Sequence, residues 1–503
     1  MGHRRDGQAV AGRLHAPPPR AARRPRAARS QGLPSVSGVA DPVVARFEVT
    51  ARRRPEKVAL RWDGGALTYR QLDRRAGGFA RALHHGGVRA GDRVALVIGN
   101  RAEFVVALLG ALKLGATVAP LDPRLIDEER TRIIDDLAPA VVVHDVAADE
   151  CDWPSPSSDA PALILYTSGS TGAPKGAVLS QHAVAAGVAS WIDPVMALTA
   201  DDVVLAVLPL SHSYGLNGAL LAPLVTGATV GLLERFSPEA VLGSIRDLGV
   251  SVFPGVATMF RRLLDADAGL GDLRRLRIAL SGAAPCPWPL ASEWRAATGV
   301  RILRGYGMTE LFRPISYVAG DPEDRPDAIG RAVAGVELKI VDDDGAGLPA
   351  GECGELFIRS PAAMDEYLGA PDETRAVLAG GWFRTGDLAT IDPGGFVRID
   401  GRKRERILRG GDSIFPQEVE AVLMAHPAVT EAAVIGVGHP ELGEEVMAFV
   451  ALRHGADVAP EALVAWCRER LASFKYPRHV TILEALPKAA TGKVLKSALR
   501  TSG

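Results

Sequence analysis

Residues 163–182 read LILYTSGSTGAPKGAVLSQH and join an apolar run to a loop of small residues and then to a second apolar segment. Glycines let backbone N–H groups approach a ligand closely, and serine and threonine hydroxyls add further donors. A loop of this composition is typical of a site that wraps an anion, most often a phosphate. It is not the Walker loop, which requires Gly-Lys-Ser/Thr at the start of a helix, because Lys175 stands between Pro174 and Gly176.

The sequence on both sides of this loop alternates between helical and strand patterns. Residues 69–85 and 103–113 carry apolar residues at helical spacing. Residues 93–98 and 116–120 are short apolar runs, and the same rhythm returns between residues 203 and 281. Strand–helix–strand alternation favours parallel sheets covered by helices, with ligands at the loops beyond the strand C-termini. We therefore predict an α/β fold built of stacked αβ layers.

The pattern changes twice in the second half of the chain. After residue 330 the strands are short and bounded by turns, which predicts a small β-rich subdomain. The polar run 401–411 (GRKRERILRGG) then leads into a compact α+β pattern of about 100 residues, a normal size for a domain. The predicted parts are a disordered basic extension (residues 1–38), a large N-terminal domain (residues 39–400) and a C-terminal lid domain (residues 401–503).

The bulk properties exclude several classes of protein. The net charge of −1 gives no reason to expect a nucleic-acid partner, and the apolar runs are too short for an integral membrane protein. The four cysteines are far apart, which disfavours a zinc site or a disulfide framework and predicts a cytoplasmic location. The first residues are rich in Arg, Ala and Pro and lack the core of a signal peptide. A disordered extension explains them better than a basic arm for nucleic acid or targeting.

Two further segments carry groups suited to a nucleotide. Residues 305–310 read GYGMTE, where an aromatic ring between glycines can stack on a base and Glu310 can hold Mg²⁺. Residues 381–387 read GWFRTGD and end in Asp387, whose carboxylate can accept hydrogen bonds from two ribose hydroxyls. The two segments predict a site for the base and sugar of a nucleotide beside the phosphate loop.

The last two segments lie at the C-terminal end of the chain. Residues 401–402 (Gly-Arg) open the polar run, and residues 487–495 read PKAATGKVL. Together with the earlier motifs, and in the same order, they resemble the adenylate-forming (AMP-binding) superfamily, which includes acyl-CoA synthetases, peptide-synthetase adenylation domains and beetle luciferases. The resemblance runs from about Val43 to Arg500 and favours the acyl-CoA synthetase or fatty-acid–CoA ligase type.

The resemblance implies a two-step reaction. A carboxylate attacks the α-phosphate of Mg-ATP and gives an acyl-adenylate and pyrophosphate. A thiol, of CoA or of a phosphopantetheinyl carrier protein, then attacks the activated carbonyl and releases AMP. Because the first step is an in-line displacement at phosphorus, the protein's task is positioning and neutralisation of charge. The implied cofactors are ATP, Mg²⁺ and CoA.

The resemblance also implies a role for each residue in the motifs. The phosphate loop would comprise Thr167, Ser168, Gly169, Ser170, Thr171, Gly172 and Lys175. The residues around adenine and ribose would be Gly282, Ala283, Ala284, Tyr306, Gly307, Asp387 and Arg402. The catalytic group would comprise Lys493, Glu310, Thr309 and His212, with Glu310 and Thr167 at the metal. Lys493 would bridge the carboxylate and the α-phosphate, and His212 would lie beside the acyl pocket and the thiol tunnel.

Taken singly, these residues have structural explanations. Glu310 and Lys493 could be solvated surface groups, Asp387 could cap a turn, and His212 could be a core histidine. The order of the motifs favours the functional roles. In the family the small domain swings between two poses about a pivot two residues after Gly-Arg, which implies a mobile lid. The pivot is usually Asp or Lys, and here it is Arg404.

The sequence indicates the acid substrate and the acceptor less specifically than it indicates the adenylation reaction. Amino-acid-activating relatives place an aspartate shortly after the position of His212, whereas residues 213–218 (SYGLNG) hold no carboxylate. The expected pocket segments, which are residues 253–259, 281–284 and Gly305, are mostly small and apolar and predict a fatty or aromatic monocarboxylic acid. Three alternatives stay open: an acyl-AMP ligase that loads a carrier protein, an adenylating enzyme with a non-thiol acceptor, and a nucleotide-binding relic. The oligomeric state is not predicted.

Overall fold

The computed structural model describes residues 41–147, 149–154, 160–167, 174–266, 270–321, 325–409, 412–488 and 494–499. The predicted extension at residues 1–38 lies outside them. Among the helices in these ranges, none combines the length and the apolar character needed to cross a bilayer.

The α-helices alternate with strands through the first 300 residues and become sparse after that. They are α1 (Val43–Arg53), α2 (Tyr69–His85), α3 (Ala102–Lys113), α4 (Asp127–Leu137), α5 (Gln181–Ser190), α6 (Ala222–Thr226), α7 (Pro238–Leu248), α8 (Ala257–Asp265), α9 (Leu270–Leu273), α10 (Trp288–Thr298), α11 (Pro371–Val377), α12 (Pro416–Met424), α13 (Pro460–Arg468) and α14 (Lys496–Leu499). Two π-helical segments (Trp191–Val195 and Gly215–Leu221) and one 3₁₀ turn (Lys403–Glu405) complete them.

The strands of the large domain are β1 (Val58–Trp62), β2 (Gly65–Thr68), β3 (Arg93–Leu96), β4 (Thr117–Pro120), β5 (Val141–Val143), β6 (Leu163–Thr167), β7 (Lys175–Leu179), β8 (Val203–Ala206), β9 (Thr229–Leu232), β10 (Val252–Gly255), β11 (Ile278–Ser281), β12 (Ile302–Met308), β13 (Phe312–Ser316), β14 (Arg331–Ala332), β15 (Glu337–Val341), β16 (Cys353–Arg359), β17 (Glu366–Tyr367), β18 (Leu378–Ala379), β19 (Trp382–Ile391) and β20 (Val397–Arg402). The remaining strands are β21 (Ile407–Arg409), β22 (Asp412–Ile414), β23 (Val429–His439), β24 (Gly443–Leu452) and β25 (His479–Leu483).

Two sheets form the layers of the large domain. One has the strand order β17-β7-β6-β4-β3-β5, and the other has the order β14-β13-β12-β11-β10-β8-β9-β1-β2. In the second sheet β8 to β12 are parallel neighbours, so the loops after β8, β10, β11 and β12 leave from the same edge. This edge brings the segments after Ala206, Ser281 and Met308 together.

The helices α2 and α3 show why the first layer holds together. Thr68 and Gln71 form a reciprocal capping box at the start of α2. Every residue of α3 except Glu103 is buried, and the helix packs against α2 closely enough that a Cβ on Gly110 would lie 2.7 Å from the carbonyl oxygen of Ala76. Only glycine allows this approach, so the contact fixes the distance between the two helices.

The two predicted smaller parts are also present as separate sheets. The β-rich subdomain is a five-stranded antiparallel sheet with the order β15-β16-β19-β18, in which β20 pairs with β19. The C-terminal sheet has the order β22-β21-β24-β23, and β25 adds to β24 in parallel. Helices α12 and α13 pack on it around a core that includes Val419, Leu463 and Cys467. The predicted α/β class with a small β-rich piece and an α+β C-terminal part is confirmed.

Candidate active site

The phosphate loop is held at its base by a β-hairpin. Strands β6 and β7 pair in antiparallel register with Thr167 opposite Lys175, so the loop between them begins and ends at one point. The ammonium of Lys175 lies 5.4 Å from the ring centroid of Tyr367. The loop residues Ser168, Gly169, Ser170, Thr171 and Gly172 lie outside the described residues. The structure therefore gives the position of the loop's two ends.

Glu310 lies at the same place. The hydroxyl of Tyr367 donates a hydrogen bond of 2.7 Å to Oε1 of Glu310, and the N–H of Met364 donates to the backbone carbonyl of Glu310. Burial, and then the charge of Glu310, raise the pKa of the Tyr367 hydroxyl, which keeps it protonated as the donor. Tyr367 thus connects Glu310, which follows Thr309 at the end of β12, with Lys175 at the start of β7. The sequence analysis did not identify Tyr367, which is more than 50 residues from either.

Asp387 is held by two partners from distant motifs. The Tyr306 hydroxyl donates a hydrogen bond of 2.5 Å to Oδ2, and Nε of Arg402 lies 3.1 Å from Oδ1. Asp387 and Arg402 are also cross-strand partners in β19 and β20. Burial and the charge of Asp387 raise the pKa of Tyr306 well above its ordinary value. The GYGMTE, RTGD and Gly-Arg motifs therefore meet at one buried carboxylate, which lies within a strand and not at the end of a turn.

The loop after β11 supplies an exposed surface beside Tyr306. Gly282 is buried, Ala284 is half-buried and Ala283 is exposed in a left-handed conformation with φ of 63°. A Cβ on Gly307 would lie 2.1 Å from the carbonyl oxygen of Phe312, so the turn between β12 and β13 requires glycine there.

His212 lies in a loop fixed by Asn100. The Asn100 amide donates to the carbonyl of Leu208 (2.8 Å) and accepts from the N–H of Leu210 (2.9 Å). His212 Nε2 is 3.9 Å from Oδ2 of Asp122 and is covered from solvent, with no hydrogen-bond partner among the described residues, although the side chain as a whole is 34% exposed. The sequence analysis missed Asn100; a polar residue directly after the apolar run 93–98 was the available signal.

A carboxylate therefore lies near His212, although none occurs in residues 213–218. Asp122 is more than 80 residues earlier in the chain, and the Arg124 guanidinium binds both of its oxygens. Burial acts to raise the pKa of Asp122, but hydrogen bonds from Arg124 lower it below its ordinary value. Burial lowers the pKa of His212, and the Asp122 charge offsets this only in part. His212 is consequently neutral at neutral pH.

Replacing the partners of His212 is expected to move the acidic limb of the pH–rate profile in opposite directions. The Asp122→Asn variant removes a charge that raises the His212 pKa, so its limb shifts to lower pH. The Arg124→Gln variant removes a charge that lowers this pKa, so its limb shifts to higher pH. Initial rates of pyrophosphate release between about pH 5 and 8 measure both shifts. Two unchanged limbs would show that His212 protonation does not control the rate.

The polar run after Arg402 is fixed on both sides. The ammonium of Lys403 lies 2.8 Å from Asp343 and 3.1 Å from Glu355 of the β-rich subdomain. Glu405 is 3.0 Å from Lys496, near the C-terminus. The expected pivot, Arg404, has helical backbone between these two anchors, and its side chain lies outside the described residues. These ion pairs connect the joint to both of the parts that it separates.

Lys493 lies outside the described residues. The residues on either side are described, and Lys488 and Val494 form an antiparallel bridge that closes the segment containing Lys493. The structure thus places the two ends of this segment next to each other and does not locate Lys493.

Comparison with known proteins assigns the family. The model described as AMP-binding enzyme matches residues 47–154 and 145–368, and the model of the AMP-binding enzyme C-terminal domain matches residues 418–493. These matches cover more than half of the chain, and with the fold and the site they define a nucleotide-dependent, acid-activating enzyme. The chain belongs to the family of AMP-binding enzymes. Within this family it is an adenylate-forming enzyme of the acyl-CoA synthetase type.

Individual relatives extend over nearly the whole chain. Feruloyl-CoA synthase from Amycolatopsis sp. is 34% identical over 90% of this chain and 96% of its own length. Medium-chain fatty-acid–CoA ligase from Escherichia coli (strain K12) is 31% identical over 94% of this chain and 91% of its own. The crystal structure of ATP-bound MatB from Rhodopseudomonas palustris is 31% identical, with a TM-score of 0.86 over 92% of this chain and 98% of that one.

Proposed function

We propose that this enzyme joins a fatty or aromatic carboxylic acid to CoA at the expense of ATP, through an acyl-adenylate, in the cytoplasm. The observation that carries the proposal is the pair of clusters at the sheet edge. Lys175, Tyr367 and Glu310 form one cluster, and Tyr306, Asp387 and Arg402 form the other. The first cluster has the lysine ammonium and the carboxylate that suit a triphosphate with its metal. The second cluster has a carboxylate that can accept hydrogen bonds from a ribose.

The roles follow from these contacts. Thr167, Lys175 and the loop between them bind the β- and γ-phosphates. Asp387 accepts hydrogen bonds from ribose hydroxyls, and its fixed position between Tyr306 and Arg402 lowers the entropic cost of that contact. Adenine lies between Tyr306 and the backbone of residues 282–284.

The residues present fit Mg²⁺. A carboxylate (Glu310) and neighbouring hydroxyls (Thr167, Thr309) are the oxygen ligands that Mg²⁺ takes from proteins, with nucleotide phosphates and water completing its shell. When bound, Mg²⁺ neutralises phosphate charge. Tyr367 keeps the Glu310 carboxylate oriented toward the phosphate loop by occupying only Oε1.

The attack of the substrate carboxylate on the α-phosphate brings two negative groups together and therefore needs a cation beside them. Lys493 bridges the substrate carboxylate and the α-phosphate, so that one carboxylate oxygen attacks phosphorus and the P–O bond to pyrophosphate breaks. In the second step a thiolate attacks the acyl carbonyl and AMP leaves. His212, neutral and half-buried, borders the acyl group without adding a charge there.

The acid class rests on the pocket segments and on the relatives. The name feruloyl-CoA synthase specifies an aromatic acid and medium-chain fatty-acid–CoA ligase an aliphatic one. Residues 213–218 hold no carboxylate for a substrate ammonium, and Asp122 is neutralised by Arg124. These features favour fatty or aromatic acids over α-amino acids.

The test is pyrophosphate release by the full-length enzyme with ATP and a panel of aromatic and aliphatic acids. We expect release only when ATP, Mg²⁺ and an accepted acid are all present, and a thioester when CoA is added. Loading of a holo-carrier protein without a CoA thioester would assign the enzyme to carrier loading. Absence of acid-dependent release across the whole panel would overturn the proposal.

A further inference from the structure

Arg313 is a buried cation at the predicted acyl pocket, and the motifs give it no role. It lies three residues after Glu310 on β13 and is 4% exposed. A Cβ on Gly305 would lie 2.4 Å from its guanidinium carbon, and a Cβ on Gly282 would lie 3.2 Å from Nη1. Both glycines belong to the expected pocket segments. The guanidinium therefore lies against the backbone that borders the acyl group.

The described neighbours of Arg313, which include the Tyr214 hydroxyl, satisfy part of its hydrogen-bonding capacity and supply no carboxylate. Its three nitrogens donate to the hydroxyl of Ser316 (2.9 Å) and to the carbonyls of Ser281 (3.2 Å) and Leu303 (3.1 Å). A guanidinium has five N–H donors. In the part of the chain that the structure describes, no carboxylate lies within 4.0 Å of it. A buried ion without a counter-ion carries a large desolvation cost, which an anionic partner would reduce.

Two other buried side chains in this region, one beside Phe312 and one directly before Gly282, also lack hydrogen-bond partners among the described residues. The side chain of Asn217 is fully buried, and neither its Nδ2 nor its Oδ1 has a hydrogen-bond partner among the described residues. The hydroxyl of Ser281 is in the same condition. The Arg313 guanidinium lies 4.9 Å from the ring of Trp191, which stacks on Tyr214 at 5.4 Å. Buried polar atoms are nearly always paired in folded proteins, so unpaired ones at a pocket point to a ligand that supplies the missing partner.

Hydrogen bonding to backbone carbonyls does not by itself explain the position of Arg313. Arg304, on β12, is equally buried and donates to the carbonyls of Arg325 (2.6 Å) and Pro326 (2.8 Å). It bridges backbone as Arg313 does, but its guanidinium lies over the rings of Trp288 (5.2 Å) and Tyr317 (5.4 Å). What distinguishes Arg313 is that its guanidinium lies against the backbone of Gly305 and Gly282, two residues of the expected pocket segments.

We propose that Arg313 selects acids that carry a second oxygen group at the end distant from the activated carboxyl. Its charge favours an oxyanion such as a second carboxylate, and its donors also accommodate a neutral acceptor such as a phenolic oxygen. The inference rests on the proposed ligase function and narrows its substrate class. Arg313 is a specificity-determining residue, so its loss changes the choice of acid more than the turnover of ATP.

The test compares matched acids with the full-length wild type and three variants. The pairs are benzoate with terephthalate, benzoate with 4-hydroxybenzoate, and hexanoate with adipate. The variants are Arg313→Met, Arg313→Lys and the matched control Arg304→Met. The measurement is kcat/KM for acid-dependent pyrophosphate release, with kcat and KM resolved, together with thermal melting of each variant.

For the wild type we expect about tenfold or more preference for the oxygenated acid in at least one pair. Arg313→Met should abolish that preference, mainly through KM, while changing the rate with the unsubstituted acid by about twofold or less. Arg313→Lys should retain part of the preference for a carboxylate, because lysine keeps the positive charge. The rest should be lost, because lysine lacks the planar pair of donors that a guanidinium offers. Arg304→Met should alter both members of a pair equally.

Other outcomes overturn the inference. Equal or higher kcat/KM for the unsubstituted acids in the wild type excludes it, whether or not the variants fold. An equal loss for both members of a pair in Arg313→Met reassigns Arg313 to structural support or to the shared chemistry of the reacting carboxyl. Absence of release with every acid refutes the proposed function itself, whereas turnover without preference refutes only this inference.

Discussion

Replacement of Lys493 with alanine is expected to lower acid-dependent pyrophosphate release by about three orders of magnitude while ATP binding stays largely intact. The reason is that Lys493 would neutralise charge shared by the attacking carboxylate and the α-phosphate, an interaction that is strongest in the transition state. The residues proposed to bind phosphate and ribose, Lys175, Asp387 and Arg402, are all retained in the variant. The loss should therefore fall on kcat and not on the affinity for ATP.

The measurement is ATP–pyrophosphate exchange with a saturating acid, paired with direct titration of ATP binding. Lys488→Ala is the matched control, because Lys488 lies five residues before Lys493, bridges to Val494 and pairs through its ammonium with Glu431 on the C-terminal sheet. We expect the control to lose less than about tenfold, the effect of one partly exposed ion pair. Full exchange activity in Lys493→Ala would remove Lys493 from the catalytic group.

A second readout separates the two steps of the reaction. Supplied with a preformed acyl-adenylate and CoA, Lys493→Ala should form the thioester at close to the wild-type rate, since the bond to pyrophosphate is already broken. An equal loss in both half-reactions would indicate that the substitution disrupts the local segment around Lys493 or the folding of the C-terminal part. Thermal melting of the variant distinguishes these two causes.

The sequence allowed much of the fold to be predicted because its determinants are local. Helix α2 was predicted with the bounds that the structure has, and strands β3 and β4 were predicted to within two residues. Periodicity and glycine punctuation depend on neighbouring residues, so a single sequence contains them. The motifs that meet at Asp387 could be predicted as one site only through the family resemblance, because Tyr306 is about 80 residues from it.

The contacts that tune the site could not be predicted in this way. Tyr367, Asp122 and Asn100 have their roles because strands distant in sequence bring them to Glu310, His212 and the loop after β8. The spacing of residues along the chain does not indicate which of them make such contacts. Arg313 is the clearest case, since its sequence neighbours gave no assignment and only the pairing of β12 with β13 brings it to Gly305.

The Glu310→Gln variant is expected to lose about two orders of magnitude in the rate of pyrophosphate release and to need a higher Mg²⁺ concentration for half-maximal rate. Glutamine keeps the size of the side chain and an oxygen that can accept the Tyr367 hydrogen bond, so the substitution removes mainly the charge. A neutral amide is a much weaker ligand for Mg²⁺ than a carboxylate. The measurement is the initial rate across a Mg²⁺ titration at fixed ATP.

Tyr367→Phe separates the charge of Glu310 from its orientation. This variant keeps the carboxylate and loses one hydrogen bond, worth about 1 kcal/mol, so a decrease of about fivefold and a small change in Mg²⁺ dependence are expected. If Glu310 acted only by holding Tyr367 over Lys175, Tyr367→Phe would be at least as damaging as Glu310→Gln and both would keep the wild-type Mg²⁺ dependence. A larger loss in Glu310→Gln, partly restored by added Mg²⁺, requires instead that the Glu310 charge acts at the metal.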